Sequence, residues 1–133
     1  MKFGRHFGAR LILFHSFTIP AALTVDPSAP GLVQVTTKEA RITAENQMRE
    51  FAESADFGGM PFDTHVTMGH AAEEICDYAA KQGADLIITS THGRTGFLHV
   101  LIGSIAEHVV RYANSPVLVV PASVKKVDLG QPT

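Results

Sequence analysis

The apolar positions of this 133-residue chain come in two rhythms, and their alternation predicts the architecture. Leu11-Ile12-Leu13-Phe14-His15-Ser16-Phe17 is short and mostly apolar, which predicts a strand buried on both faces. Thr18 to Val35 carries Pro20, Pro27, Pro30 and Gly31 and reads as a long surface loop. A helix is expected from about Thr36, which has capping-box spacing with Glu39. Ala44, Met48, Phe51, Ala52 and Ala55 would form its inward face, and Gly58-Gly59 would break it. Asp63 to Met68 alternates as a strand does, ending at Gly69.

A second helix is expected from Ala71 to Gln82, burying Ala72, Ile75, Cys76 and Ala79, with Gly83 as its C-cap. Asp85 to Thr91 reads as a strand of the buried type. Ser104 to Asn114 reads as a helix with Ala106, Val109, Val110 and Ala113 inward, and Pro116 to Val120 as a last strand. The tail after Ala122 is expected to fray. Strands alternating with helices across long connections predict an α/β fold, an open parallel sheet with helices on both faces. One domain over residues 1–133, with 122–133 as a flexible tail, is the expected organisation.

Composition narrows the functional classes. A net charge of −2 leaves no electrostatic footprint for nucleic acid or acidic lipid. The single cysteine, Cys76, excludes an intramolecular disulfide and suits a reducing compartment. No apolar run is long enough to span a bilayer, and Met1 to His6 lacks a signal-peptide pattern, so a cytoplasmic protein is expected. The histidines show no metal-ligand spacing, and Cys76 lacks a basic neighbour in register, so it reads as a packed, inert thiol. Glu73, Glu74 and Asp77 read as a solvated helix face.

The segment that carries chemistry is Ser90-Thr91-His92-Gly93-Arg94-Thr95-Gly96, followed by Gly103-Ser104. In a parallel sheet, ligands bind beyond the carboxyl ends of the strands. A small-residue turn there, leading to a helix N-terminus, supplies backbone N–H groups and a positive dipole end for a phosphate. Each residue also has a structural role: the glycines turn the chain, and Ser104 with Glu107 has capping-box spacing. His92 could donate to a phosphate or pin the loop, and Glu107 would partly offset the positive helix end. Neither a Gly-x-Ser-x-Gly elbow, a Walker lysine nor a dinucleotide fingerprint is present, so no catalytic residues are assigned.

Four segments resemble the universal stress protein family: Gly83-Ala84-Asp85-Leu86-Ile87-Ile88, the Ser90–Gly96 loop, Leu101-Ile102-Gly103-Ser104, and Ser115 to Val120. The likeness runs from about Leu11 to Pro121 and is specific over Gly83 to Pro121. The ATP-binding members' pattern of Gly, two residues, Gly, nine residues, Gly, then Ser or Thr maps to Ser90, Gly93, Gly103 and Ser104. Serine replaces the first glycine, which narrows the backbone conformations there.

The resemblance implies a Rossmann-like fold of the adenine nucleotide alpha hydrolase-like kind, and a small ATP-binding regulatory module rather than an enzyme. Gly93, Gly103, Ser104 and Ile105 would line the phosphates, Thr89, Ser90 and His92 the ribose side, and Ser16 the adenine. ATP, with magnesium in attendance, is the implied ligand, and at most slow hydrolysis is implied. A homodimer paired through Pro116 to Val120, and an unidentified regulatory protein, are the implied partners. The rival is a stress protein that binds no nucleotide and acts as a dimeric interaction scaffold.

The family normally opens with a strand ending in a nucleotide-contacting aspartate, followed by a helix. Here Met1 to Gly8 resembles the last turns of that helix, and the strand and aspartate have no counterpart in the sequence. With an implied strand order of 3-2-1-4-5, Leu11–Phe17 should pair with the Asp63–Met68 strand, and Leu86–Thr91 with the last strand. The gap between the pairs could close, be filled by a partner chain, or mark a shortened gene product; the last is the expectation.

Overall fold

A computed structural model describes residues 2–19, 30–91 and 103–121. Packing divides the chain into two units, Met1–Glu74 and Ile75–Thr133, and each is described by itself.

The first unit opens with α1 (Lys2–His6), which ends as Gly8 N–H and Ala9 N–H turn back to the carbonyls of Arg5 and Gly4. β1 (Leu11–Phe17) has the expected bounds. α2 (Pro30–Ser54) begins six residues before the expected start at Thr36. A proline fits the first helical turn because the N–H it lacks would have no intrahelical acceptor there. Thr36 and Glu39 therefore lie inside the helix instead of capping it, and the loop after β1 is correspondingly shorter.

Ala44 and Met48 are buried on α2, but Phe51, expected inward, is 56% exposed and meets Phe57 edge-on at 6.4 Å. Phe57 and Met60 are buried at the ends of a turn in which Met60 N–H donates to Phe57 O. Gly58 and Gly59 both have positive φ (62° and 76°), the requirement of a type I′ turn, and Asp56 Oδ1 accepts from Gly58 N–H at 2.7 Å.

β2 (Phe62–Met68) pairs parallel with β1 in the register Leu11↔Phe62 through Phe17↔Met68. Arg10 and Asp63 form an ion pair beside the first rung. α2 packs on both strands, and Arg41 lies 5.5 Å from the centre of the Phe17 ring.

The helix that follows, α3 (Ala71–Gln82), has the expected bounds and buries Ala79; Ala72, Ile75 and Cys76 are half-buried. Gly83 ends it as predicted, at φ 61°, with Gly83 N–H bonded to Ala80 O and Ala84 N–H to Ala79 O.

In the second unit β3 (Ile87–Ser90) pairs parallel with β4 (Val117–Val120) in the register Ile87↔Val117. β3 is shorter than the expected 85–91 and is not buried on both faces. Ile87 is buried, whereas Leu86, Ile88, Leu118 and Val120 are exposed. α4 (Ser104–Tyr112) ends two residues early and packs against β4, with Ala106 and Val109 fully buried. Val110, expected inward, is 51% exposed, one step off the buried stripe.

The described strands thus form two parallel pairs, β1–β2 and β3–β4, which are neighbours in the strand order that the resemblance implies. No helix among the described residues is long and apolar enough to cross a membrane.

Candidate functional site

β3 ends in the half-buried Thr89 and the exposed Ser90, and Thr91 follows with its N–H bonded to Val120 O at 2.9 Å. Its carbonyl accepts from Gly103 N–H at 2.6 Å. That bond ties the strand end directly to the start of α4. It brings together Thr89, Ser90, Gly103, Ser104 and Ile105, five of the expected site residues. His92 and Gly93 lie outside the described residues.

The glycine at 103 is required by proximity and not by its torsions. Its φ of −68° and ψ of 154° are open to any residue. A Cβ there would lie 2.8 Å from Thr91 O, a backbone atom with little freedom to retreat. Gly103, not Ser104, is the N-cap of α4, which corrects the capping-box expectation. Glycine has no side chain with which to cap. Glu107 turns to Arg111, 3.0 Å away and one turn on, instead of reaching back to the cap.

Ser104 is exposed at the first helical position and Ile105 is 44% exposed. The first turn of α4 thus offers a hydroxyl and the positive helix end, beside backbone drawn close by a glycine. An arrangement of this kind suits an anion.

Ser16, the expected adenine neighbour, is half-buried at the end of β1 in the first unit, opposite Thr67 in register. At that strand end Glu74 Oε2 accepts from Thr67 Oγ1 at 3.2 Å, and the Glu74 side chain folds over Gly69. Glu74 is thus half-buried and bonded, a correction to its reading as part of a solvated face. The sequence signal available was a glycine directly after a strand with an acidic residue in the next helix's first turn.

Cys76 is half-buried, and burial, then the negative charge of Asp77, pushes its thiol above the ordinary value. Among the described residues no group of three or more His, Cys, Asp or Glu side chains could hold a metal ion.

A sequence model described as Universal stress protein family matches residues 1–121. The chain belongs to the universal stress protein family.

Universal stress protein MJ0531 of Methanocaldococcus jannaschii is 34% identical over 92 residues, covering 69% of this chain and 54% of that protein. The chain spans about half the length of the curated relatives it matches first (54% and 48%). Among solved structures, the MJ0577 protein, the subject of a structure-based assignment of biochemical function, matches with a TM-score of 0.62 at 28% identity. The match covers 90% of this chain and 85% of that one. UspA from Lactobacillus plantarum matches with a TM-score of 0.70 at 22% identity, over 90% of this chain and 82% of that one. The fold is therefore that of the universal stress proteins, α/β and Rossmann-like.

Proposed function

We propose that this universal stress protein domain binds an adenine nucleotide, ATP in the first instance, as a regulatory ligand. The observation that carries the reading is the Thr91–Gly103 junction. A glycine in van der Waals conflict with any added Cβ, at the uncapped start of a helix after a parallel strand, is a cradle for phosphate. Universal stress proteins of this fold have been solved in complex with dAMP (Archaeoglobus fulgidus, TM-score 0.50, 19% identity) and with cAMP (TM-score 0.52, 22% identity). Those ligands belong to those proteins, and the fold is what they share with this chain.

In this reading Gly103, Ser104 and Ile105, with Gly93, hold the phosphates. Thr89, Ser90 and His92 line the ribose; Ser16, expected at the adenine, lies in the first unit. Bound ATP would bring its own magnesium, and its phosphates would supply the ligands that the described residues lack. In this reading binding, not turnover, is the output. The domain would act in the cytoplasm; the tail expected at 122–133 lies outside the described residues. The domain would form a homodimer through the outer edge of β4 and signal to a regulatory protein.

Isothermal titration with ATP, ADP and AMP tests this. Micromolar ATP binding, strongest with the most phosphates, is the expected result. An absence of binding by all three would instead favour a nucleotide-free scaffold.

A further inference from the structure

Ser104, His108 and Tyr112 are spaced by four residues and form one row along α4. Neighbours in such a row have Cβ atoms about 5–6 Å apart. Helical side chains lean back toward the N-terminus, so each covers the turn before its own Cα. The imidazole of His108 is therefore carried over the first turn, on the side of Ser104. The Tyr112 ring leans the same way and packs against it, with centroids 4.5 Å apart and planes at 46°. That ring fills the space on the C-terminal side of the imidazole and keeps it turned toward the helix start.

His108 is half-buried, whereas Ser104 and Tyr112 are exposed. Among the described residues neither of its ring nitrogens is hydrogen bonded. The titratable groups beside it on α4 are the Tyr112 phenol and the pair Glu107 and Arg111, which hold each other at 3.0 Å. β4, packed against α4, carries only valine and leucine side chains. The imidazole is thus left to whatever binds at the first turn.

The two forms of an imidazole differ in their value to a phosphate. The neutral ring offers a single N–H donor, and the protonated ring offers both nitrogens and a positive charge. A hydrogen bond assisted by charge is about twice as strong as a neutral one. Histidine is the side chain that ordinarily changes form between about pH 5 and 8.

We propose that His108 is a further phosphate-binding residue. In its protonated form it donates to the terminal phosphate of a nucleoside triphosphate held at the first turn of α4, so that binding tightens as pH falls. This role rests on the nucleotide reading, to which it adds a binding residue and a pH dependence.

ATP is titrated by calorimetry into the full chain and into the variants His108→Gln and His108→Lys, at about pH 5.5 and about pH 8. Glutamine takes no charge, and lysine keeps one at both values. Both favour helix at least as well as histidine, so α4 should be preserved in each. The phosphates of ATP also gain a proton in acid, so the quantity to read is the ratio of wild-type to variant affinity at each pH. Wild type should bind about three- to fivefold tighter than His108→Gln at the lower pH, a gain suited to a partly screened pair. At the higher pH the two should bind alike. His108→Lys should match wild type at the lower pH and exceed it at the higher.

A wild-type to His108→Gln ratio that is the same at both pH values overturns the role of His108 and leaves nucleotide binding standing. So does a His108→Lys variant that binds no better than His108→Gln. Binding by none of the three proteins at either pH overturns the nucleotide reading itself, and this role with it.

Discussion

Two strand-to-helix junctions of this chain are built from similar parts and closed in opposite ways. Where β2 meets α3, a glycine follows the strand and a carboxylate fills the space above it: Glu74 folds over Gly69 and accepts from Thr67 at 3.2 Å. Where β3 leads to α4, a glycine precedes the helix and fills the space itself, its N–H bonded to Thr91 O at 2.6 Å. The first junction supplies its own anion, which suits the N-terminal turn of α3, where Glu73 and Glu74 sit. The second supplies none at its cap, and the carboxylate in its first turn, Glu107, pairs with Arg111. A helix start whose carboxylate is built in has no need of a ligand. One capped by glycine has no side-chain acceptor for its first donors, and those are the donors the proposed phosphate contact uses.

The most disruptive way to test the contrast is Gly103→Ala. The added Cβ would meet Thr91 O at 2.8 Å, so the strand end and the helix start must separate. ATP affinity measured by calorimetry should fall tenfold or more, about 1.4 kcal/mol. α4 should stay helical, because the extended φ and ψ at this position suit alanine, although alanine is a poorer N-cap than glycine. Undiminished affinity would mean that the close approach at Gly103 does not shape a ligand site.

Gly69→Ala is the matching change at the other junction. Its Cβ would lie 2.5 Å from Glu74 Oε1 and 2.7 Å from Cγ, so the whole side chain must swing out and its bond to Thr67 is lost. A stability loss of about 1–2 kcal/mol is expected, read as a lower Tm or urea midpoint. Nucleotide affinity should change little. If both glycine variants weakened ATP binding alike, the proposed division between a self-closed junction and an open one would fail.

Much of this contrast could be read from the residues, and the misreadings have physical causes. β1 and α3 stand where their apolar rhythm put them, because Leu11 to Phe17 lies between polar flanks and Gly83 marks a helix end unambiguously. The capping residues misled twice. Thr36 with Glu39, and Ser104 with Glu107, both have capping-box spacing, yet Pro30 starts one helix and Gly103 caps the other. Spacing shows that a box could form, but not whether the chain ahead is already committed to helix or held extended by a tertiary bond. The Thr91–Gly103 bond crosses twelve positions and leaves no local trace. The same holds for Glu74, whose role depends on where β2 delivers Thr67. Phe51 failed differently: helical spacing placed it inward, but its ring stays exposed and meets the buried Phe57 edge-on.

The finest probe is Glu107→Gln. The carboxylate lies in the first turn of α4, where negative charge competes with a bound phosphate for the positive helix end. Its pairing with Arg111 is exposed, so solvent already screens much of that competition. Removing the charge should therefore tighten ATP binding only about two- to threefold, consistent with ~0.3–1 kcal/mol for a charge near a helix end. The gain should shrink at high salt, which separates it from a change of shape. Loss of affinity would show that Glu107 supports the site, and the contrast between the junctions would then rest on Gly103 alone.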